Sequence, residues 1–162
     1  MKLVSGVLDP RSLGLIWRDL AYREGRPELW WTNRDTWSRE LWEGFGGTVR
    51  ITEVGRAVHG LVVSVLSRYH QWPRTQRISV QYAIWGEDSG INPHSDSRYR
   101  WAASLYLNDS WNPAWGGLLM VRPEPVVPLT GVLVINDNQE LHAVSRVRVG
   151  AEPRVCLQVW AL

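Results

Sequence analysis

The chain has 162 residues, of which 44% are hydrophobic and 21% charged, the profile of one ordinary globular domain long enough to bury a core. No stretch approaches the roughly 18 consecutive apolar residues of a membrane span, and Asp9 stands where a signal peptide would carry its apolar core. A cytoplasmic protein with no membrane attachment is therefore expected. The net charge of +2 rests on scattered arginines, Lys2 being the only lysine, so nucleic acid is not an expected partner. Cys156, the single cysteine, excludes an intrachain disulfide and a thiolate zinc site.

The first seventy residues read as helical and the rest as strands. Asp9-Pro10 is a helix start, and Leu13, Ile16, Trp17 and Leu20 follow at helical spacing. A second helix is predicted over residues 36–45, ended by Gly46-Gly47. A third is predicted over residues 52–69, with Val54, Val58, Leu61, Val62, Val65 and Leu66 as its apolar stripe and Pro73 beyond it. Eleven tryptophans read mainly as core and helix-packing residues, because large rings dominate burial in a small domain; the alternative is that one or two line a substrate mouth.

From there on, short β-rich runs alternate with Gly, Pro, Asn and Asp: residues 78–85, 101–107, 118–121, 131–135, 141–149 and 154–160. No helical crossover fits between them, so the pairing should be antiparallel. The expected fold is mainly β, a two-sheet jelly roll (residues 76–162) buttressed on one sheet by N-terminal helices (residues 1–75) within one domain.

The chemistry is concentrated in two places. In Asn92-Pro93-His94-Ser95-Asp96 the histidine and the carboxylate are one residue apart, which on an extended strand puts both side chains on one face. His142 follows in Leu141-His142-Ala143-Val144, on another β run. Two imidazoles and one carboxylate form a facial triad that leaves adjacent open positions on an octahedral iron(II). Taken alone, His-x-Asp is a weak signal that a hydrogen-bonded turn would also produce. The remaining histidines, His59 and His70, lie on nearly one face of the third predicted helix and read as surface or packing residues.

The residues around the triad add a specific pattern, in order: Tyr82, Pro93-His94-Ser95-Asp96, Ser104-Leu105-Tyr106-Leu107-Asn108, Trp111, Gly116-Gly117-Leu118, Gly131, Leu141 to Val144, Gly150, and Arg154 six residues before Trp160. This half of the chain resembles the prolyl-4-hydroxylase-like branch of the iron(II)/2-oxoglutarate-dependent oxygenases. The resemblance implies a double-stranded β-helix (cupin-like), Fe(II), 2-oxoglutarate and O2 as inputs, and succinate and CO2 as by-products of hydroxylating an unactivated C–H bond. It implies His94, Asp96 and His142 as metal ligands and catalytic centre. Desaturation or cyclisation is the alternative outcome within the family, and a non-catalytic jelly-roll binding module the alternative outside enzymes. Halogenation is disfavoured by Asp96, since a halide takes that coordination position in halogenating relatives.

The family also needs a basic side chain for the far carboxylate of 2-oxoglutarate. Arg154 is selected because it shares a strand face with Cys156, Gln158 and Trp160, while Val155, Leu157 and Val159 form an aliphatic face suited to the helices. Arg146 and Arg148 remain alternatives, since the spacing from His142 to Arg154 is longer than in many members. By their places in the pattern Tyr106, and secondarily Tyr82, are expected to contact the same co-substrate. The chain has Val134-Ile135-Asn136-Asp137 where the family often carries an aromatic residue, and it lacks the two-arginine signature of the DNA-repair demethylases. The expected substrate is an amino acid, a peptide residue or a small natural product, with residues 86–92, residues 108–115 and the tryptophan-rich first third as its walls. Oligomeric state is left open.

Overall fold

The computed structural model describes residues 1–73, 75–121, 124–137 and 139–162. Among the described residues ten strands form two facing sheets. The major sheet has seven strands: β1 (Lys2–Val4), β2 (Trp31–Thr32), β3 (Val49–Glu53), β4 (Ile78–Trp85), β6 (Trp101–Tyr106), β8 (Leu133–Asp137) and β10 (Arg154–Ala161), ordered β1-β8-β6-β10-β4-β3-β2. The minor sheet is β5 (Ile91–His94), β9 (His142–Val144) and β7 (Leu119–Met120), in that order. Every strand pairing within the sheets is antiparallel. The result is a double-stranded β-helix with helices on one side.

Period-two alternation on the central strand β10 separates two cores. Leu157, Val159 and Ala161 face outward onto α1 (Pro10–Glu24) and α4 (Arg56–Ser67), meeting Ile16, Leu20, Val58, Val62, Val65 and Leu66. Cys156 faces inward, packed with Ile51, Ala83, Trp85, Tyr106 and Val144 between the sheets. Helix α1 begins as expected: Asp9 accepts the Ser12 backbone N–H at 2.7 Å, and Pro10 supplies a preset φ at the first turn. No helix among the described residues is long and apolar enough to cross a membrane.

The N-terminal region departs from the purely helical expectation by contributing three strands to the major sheet. In Val49-Arg50-Ile51-Thr52-Glu53 the β-branched residues pair along β4, so the predicted third helix starts only at Arg56. Gly55 caps it, its backbone N–H donating to Asp19 Oδ2 at 3.0 Å. The predicted second helix is two single turns, α2 (Asn33–Thr36) and α3 (Arg39–Trp42), parted by extended backbone at Trp37 and Ser38. His59 and His70 are packing residues, as expected: His59 Nε2 lies 3.0 Å from the Ile78 carbonyl, and His70 packs on Trp101 and Trp72.

Tyr82 lies on the helix side of β4. Its hydroxyl donates to the Ile16 carbonyl at 3.0 Å and approaches Asp19 Oδ2 at 3.1 Å. Burial, and next the Asp19 charge, push its pKa well above the ordinary phenol value. Tyr82→Phe should lower stability by about 1–2 kcal/mol through the unsatisfied acceptors it leaves and leave 2-oxoglutarate affinity unchanged; thermal unfolding and co-substrate titration check the two halves of this expectation.

Candidate active site

His94 is the last residue of β5, and His142 the first of β9; in the antiparallel register they are direct partners. Residues 48 apart in sequence thus stand with ring centroids 4.3 Å apart. Asp96 lies just past β5 in the following turn, where the Tyr99 N–H donates to its carbonyl, and not on the extended strand expected from the His-x-Asp spacing. Its carboxylate oxygens are 3.9 Å from His94 Nε2 and 3.4 Å from His142 Nε2. One donor atom from each residue falls within 4.8 Å of the others, close enough to share one ion.

Both imidazoles are aimed by backbone carbonyls two residues upstream. His94 Nδ1 is 2.8 Å from the Asn92 oxygen and His142 Nδ1 is 3.0 Å from the Glu140 oxygen. A proton on each Nδ1 satisfies those acceptors and turns Nε2 toward the shared site, the outer support a ligating histidine requires. Burial lowers the His94 pKa. Burial raises that of Asp96, but the hydrogen bond and charge of His142, with His94 and Arg98, outweigh it and leave the carboxyl below its usual range. For His142, burial pushes downward and the Asp96 hydrogen bond more than compensates, so its pKa is raised.

The triad opens into a cavity of about 670 Å3, its mouth included. Ile91, Leu119 and Val144 give apolar walls, and Arg154 and Trp85 lie at the Arg154 end of β10. Arg154 is only 1% exposed. Its guanidinium sits over the Trp85 and Tyr106 rings at 4.8 and 5.0 Å. Nη2 donates to Tyr106 Oη at 3.4 Å and Nη1 to Cys156 Sγ at 3.5 Å, while Nε has no partner. Among the described residues no carboxylate lies within ion-pair distance of it. A buried guanidinium without a counter-charge is costly, and an anion entering the cavity would relieve that cost. Gly117 makes room for this side chain: a Cβ there would come within 3.1 Å of Arg154 Cδ.

Arg146 and Arg148 are exposed. Arg146 pairs with Asp88 and donates to the Gly44 carbonyl at 2.7 Å, so it ties two surface loops together. Tyr106 is fully buried behind Arg154 and braces it instead of lining the cavity. Tyr82 is not brought to the site, because alternation on β4 turns Ala83 and Trp85 inward instead. Trp85 was not anticipated from sequence, nor were the Asn92 and Glu140 carbonyls. Of the expected walls, Trp37, Leu41 and Ile91 line the cavity, whereas Trp111 is buried with its indole N–H on the Gly116 carbonyl.

The family model of the 2OG-Fe(II) oxygenase superfamily matches residues 78–162, more than half of the chain, and spans the triad and Arg154. The chain belongs to this superfamily. As a 2OG-Fe(II) dioxygenase it uses Fe(II), 2-oxoglutarate and O2, and the His-Asp-His cluster and the unpaired Arg154 suit the first two. The fold matches that of a prolyl hydroxylase from Trichoplax adhaerens, solved with a hypoxia inducible factor peptide, at TM-score 0.75 and 15% identity over 99% of this chain and 82% of that one. It also matches a Pseudomonas putida prolyl-4-hydroxylase at TM-score 0.69 and 16% identity, over 99% and 90% of the chains. A third match is HygX from Streptomyces hygroscopicus, solved with nickel, 2-oxoglutarate and hygromycin B, at TM-score 0.65 and 12% identity, over 98% and 81%. No curated protein matches in sequence.

Proposed function

We propose that this oxygenase hydroxylates an unactivated C–H bond of an amino acid, a peptide residue or a small natural product, releasing succinate and CO2. The observation that carries this is the placing of an uncompensated, buried Arg154 in the same cavity as the triad. His94, Asp96 and His142 would hold Fe(II), and Arg154, braced by Tyr106 and capped by Trp85, would hold the far carboxylate of 2-oxoglutarate through its planar fork. When bound, iron and the keto acid together supply the oxidising chemistry. The protein's part is to fix geometry and to keep water out with Ile91, Leu119 and Val144. The Trichoplax adhaerens structure holds a peptide and the HygX structure holds hygromycin B, and both kinds of ligand fall within this range.

The test is succinate release from protein supplied with Fe(II), 2-oxoglutarate and O2, screened against free amino acids, short peptides and small metabolites. One class should stimulate release and gain one oxygen atom from labelled dioxygen. Failure of every class to stimulate release, in protein that binds both iron and 2-oxoglutarate, would overturn the hydroxylase assignment.

A further inference from the structure

The inner face of the major sheet continues past the triad cavity. A second cavity, of about 610 Å3 with its mouth, lies over the β2-β3-β4 part of the sheet, where Trp31, Ile51, Ser79 and Gln81 contribute to its lining. Trp37, Arg98 and Trp160 line both cavities, so the two adjoin as one trough. The β10 register carries that continuity: Trp160 stands opposite Ser79 on β4 and Ala102 on β6, and Gln158 opposite Gln81 and Ser104. The trough therefore runs from the triad, across these three shared side chains, onto strands supplied by the N-terminal third.

Its chemistry is uneven in an informative way. The second cavity is bordered by flat rings, Trp31, Trp37, Tyr99 and Trp160, the last two 5.9 Å apart. Among the described residues Asp96, a triad member, is the only acidic side chain lining either cavity. Arg98 is exposed at the junction, with its guanidinium over the Tyr99 ring at 4.8 Å. Among the described residues it has no ion-pair partner. Aromatic planes accept flat apolar groups, while an exposed guanidinium without an ion-pair partner matches a carboxylate.

We propose that the second cavity is a substrate subsite taking the aromatic group of a small carboxylic acid, such as an N-acylated aromatic amino acid, whose carboxylate is held by Arg98 while its other arm reaches the triad. This narrows the substrate class proposed above and rests on that assignment of the neighbouring cavity. Arg98 is thereby a specificity-determining residue, distinct in position from the co-substrate anchor Arg154.

The experiment is calorimetric titration of protein loaded with Zn(II) in place of iron and saturated with 2-oxoglutarate, so that Arg154 is occupied. The probes are N-acetyl-tryptophan and N-acetyl-phenylalanine, each beside its neutral amide. Each acid should bind at least tenfold more tightly than its amide, and Arg98→Ala should erase the difference. Ser79→Phe, which fills the second cavity, should weaken acid and amide alike by at least tenfold, with 2-oxoglutarate binding as the check that the variant is folded. Arg98 is an exposed loop residue, so its variant decides the matter even where Ser79→Phe fails to fold. Equal affinities of acid and amide, binding of neither while 2-oxoglutarate binds, or an acid preference that survives Arg98→Ala would each overturn the subsite. Failure of 2-oxoglutarate itself to bind would strike the oxygenase assignment first and the subsite with it.

Discussion

Arg154→Ala should raise the 2-oxoglutarate concentration needed for half-saturation by roughly two to four orders of magnitude while changing iron affinity little. The basis is the burial of Arg154 and the lack of an acidic partner for it among the described residues. Removing it would leave the incoming carboxylate as the uncompensated charge, at a cost of about 3–5 kcal/mol, and each decade of affinity corresponds to about 1.4 kcal/mol. Arg154→Lys should recover only part of the loss, because an ammonium supplies charge without the fork that also bridges to Tyr106 and Cys156. Tyr106→Phe should lie between wild type and Arg154→Ala, since it frees the guanidinium without removing it. Arg146→Ala and Arg148→Ala serve as controls at the surface. Collapse of co-substrate binding in either control, with Arg154→Ala near wild type, would move the anchor.

His94→Ala, Asp96→Ala and His142→Ala should each abolish turnover and weaken iron binding by tenfold or more, because each removes one of three donors converging on a single point. His142→Ala carries a further consequence. The Asp96 carboxyl is held down chiefly by His142 against its own burial, so this variant also raises the Asp96 pKa and lets protons compete for the remaining carboxylate. Iron affinity and succinate release, measured on the same preparations, separate lost binding from lost chemistry. Full activity in any of the three would remove that residue from the ligand set.

Some of this architecture was legible in the residues because a polar and an aliphatic set alternate without interruption. On β10, Arg154, Cys156, Gln158 and Trp160 against Val155, Leu157 and Val159 fixes which side faces the helices. Strand β4 carries no such contrast. Tyr82 and Trp85 are both large and aromatic, and nothing local says that the tyrosine hydroxyl will find its acceptors on α1 and not in the cavity. The histidines could be paired with Asp96 by motif, but their aiming groups are main-chain oxygens, which any residue would provide. The N-terminal strands were hidden for two different reasons. β2 is only two residues long at a sheet edge, and β3 runs directly into the apolar stripe of α4, so that one long helical pattern seemed to start inside a strand. That strand contributes Ile51 to the lining of the second cavity.

Anaerobic titration of the protein with Fe(II) and 2-oxoglutarate tests the central claim most directly, that the triad and Arg154 form one co-substrate site. A visible charge-transfer band of a keto acid chelated to iron should grow to one equivalent in wild type, and in Arg154→Ala should appear only at far higher 2-oxoglutarate. A flat difference spectrum from wild-type protein replete with metal would contradict the account.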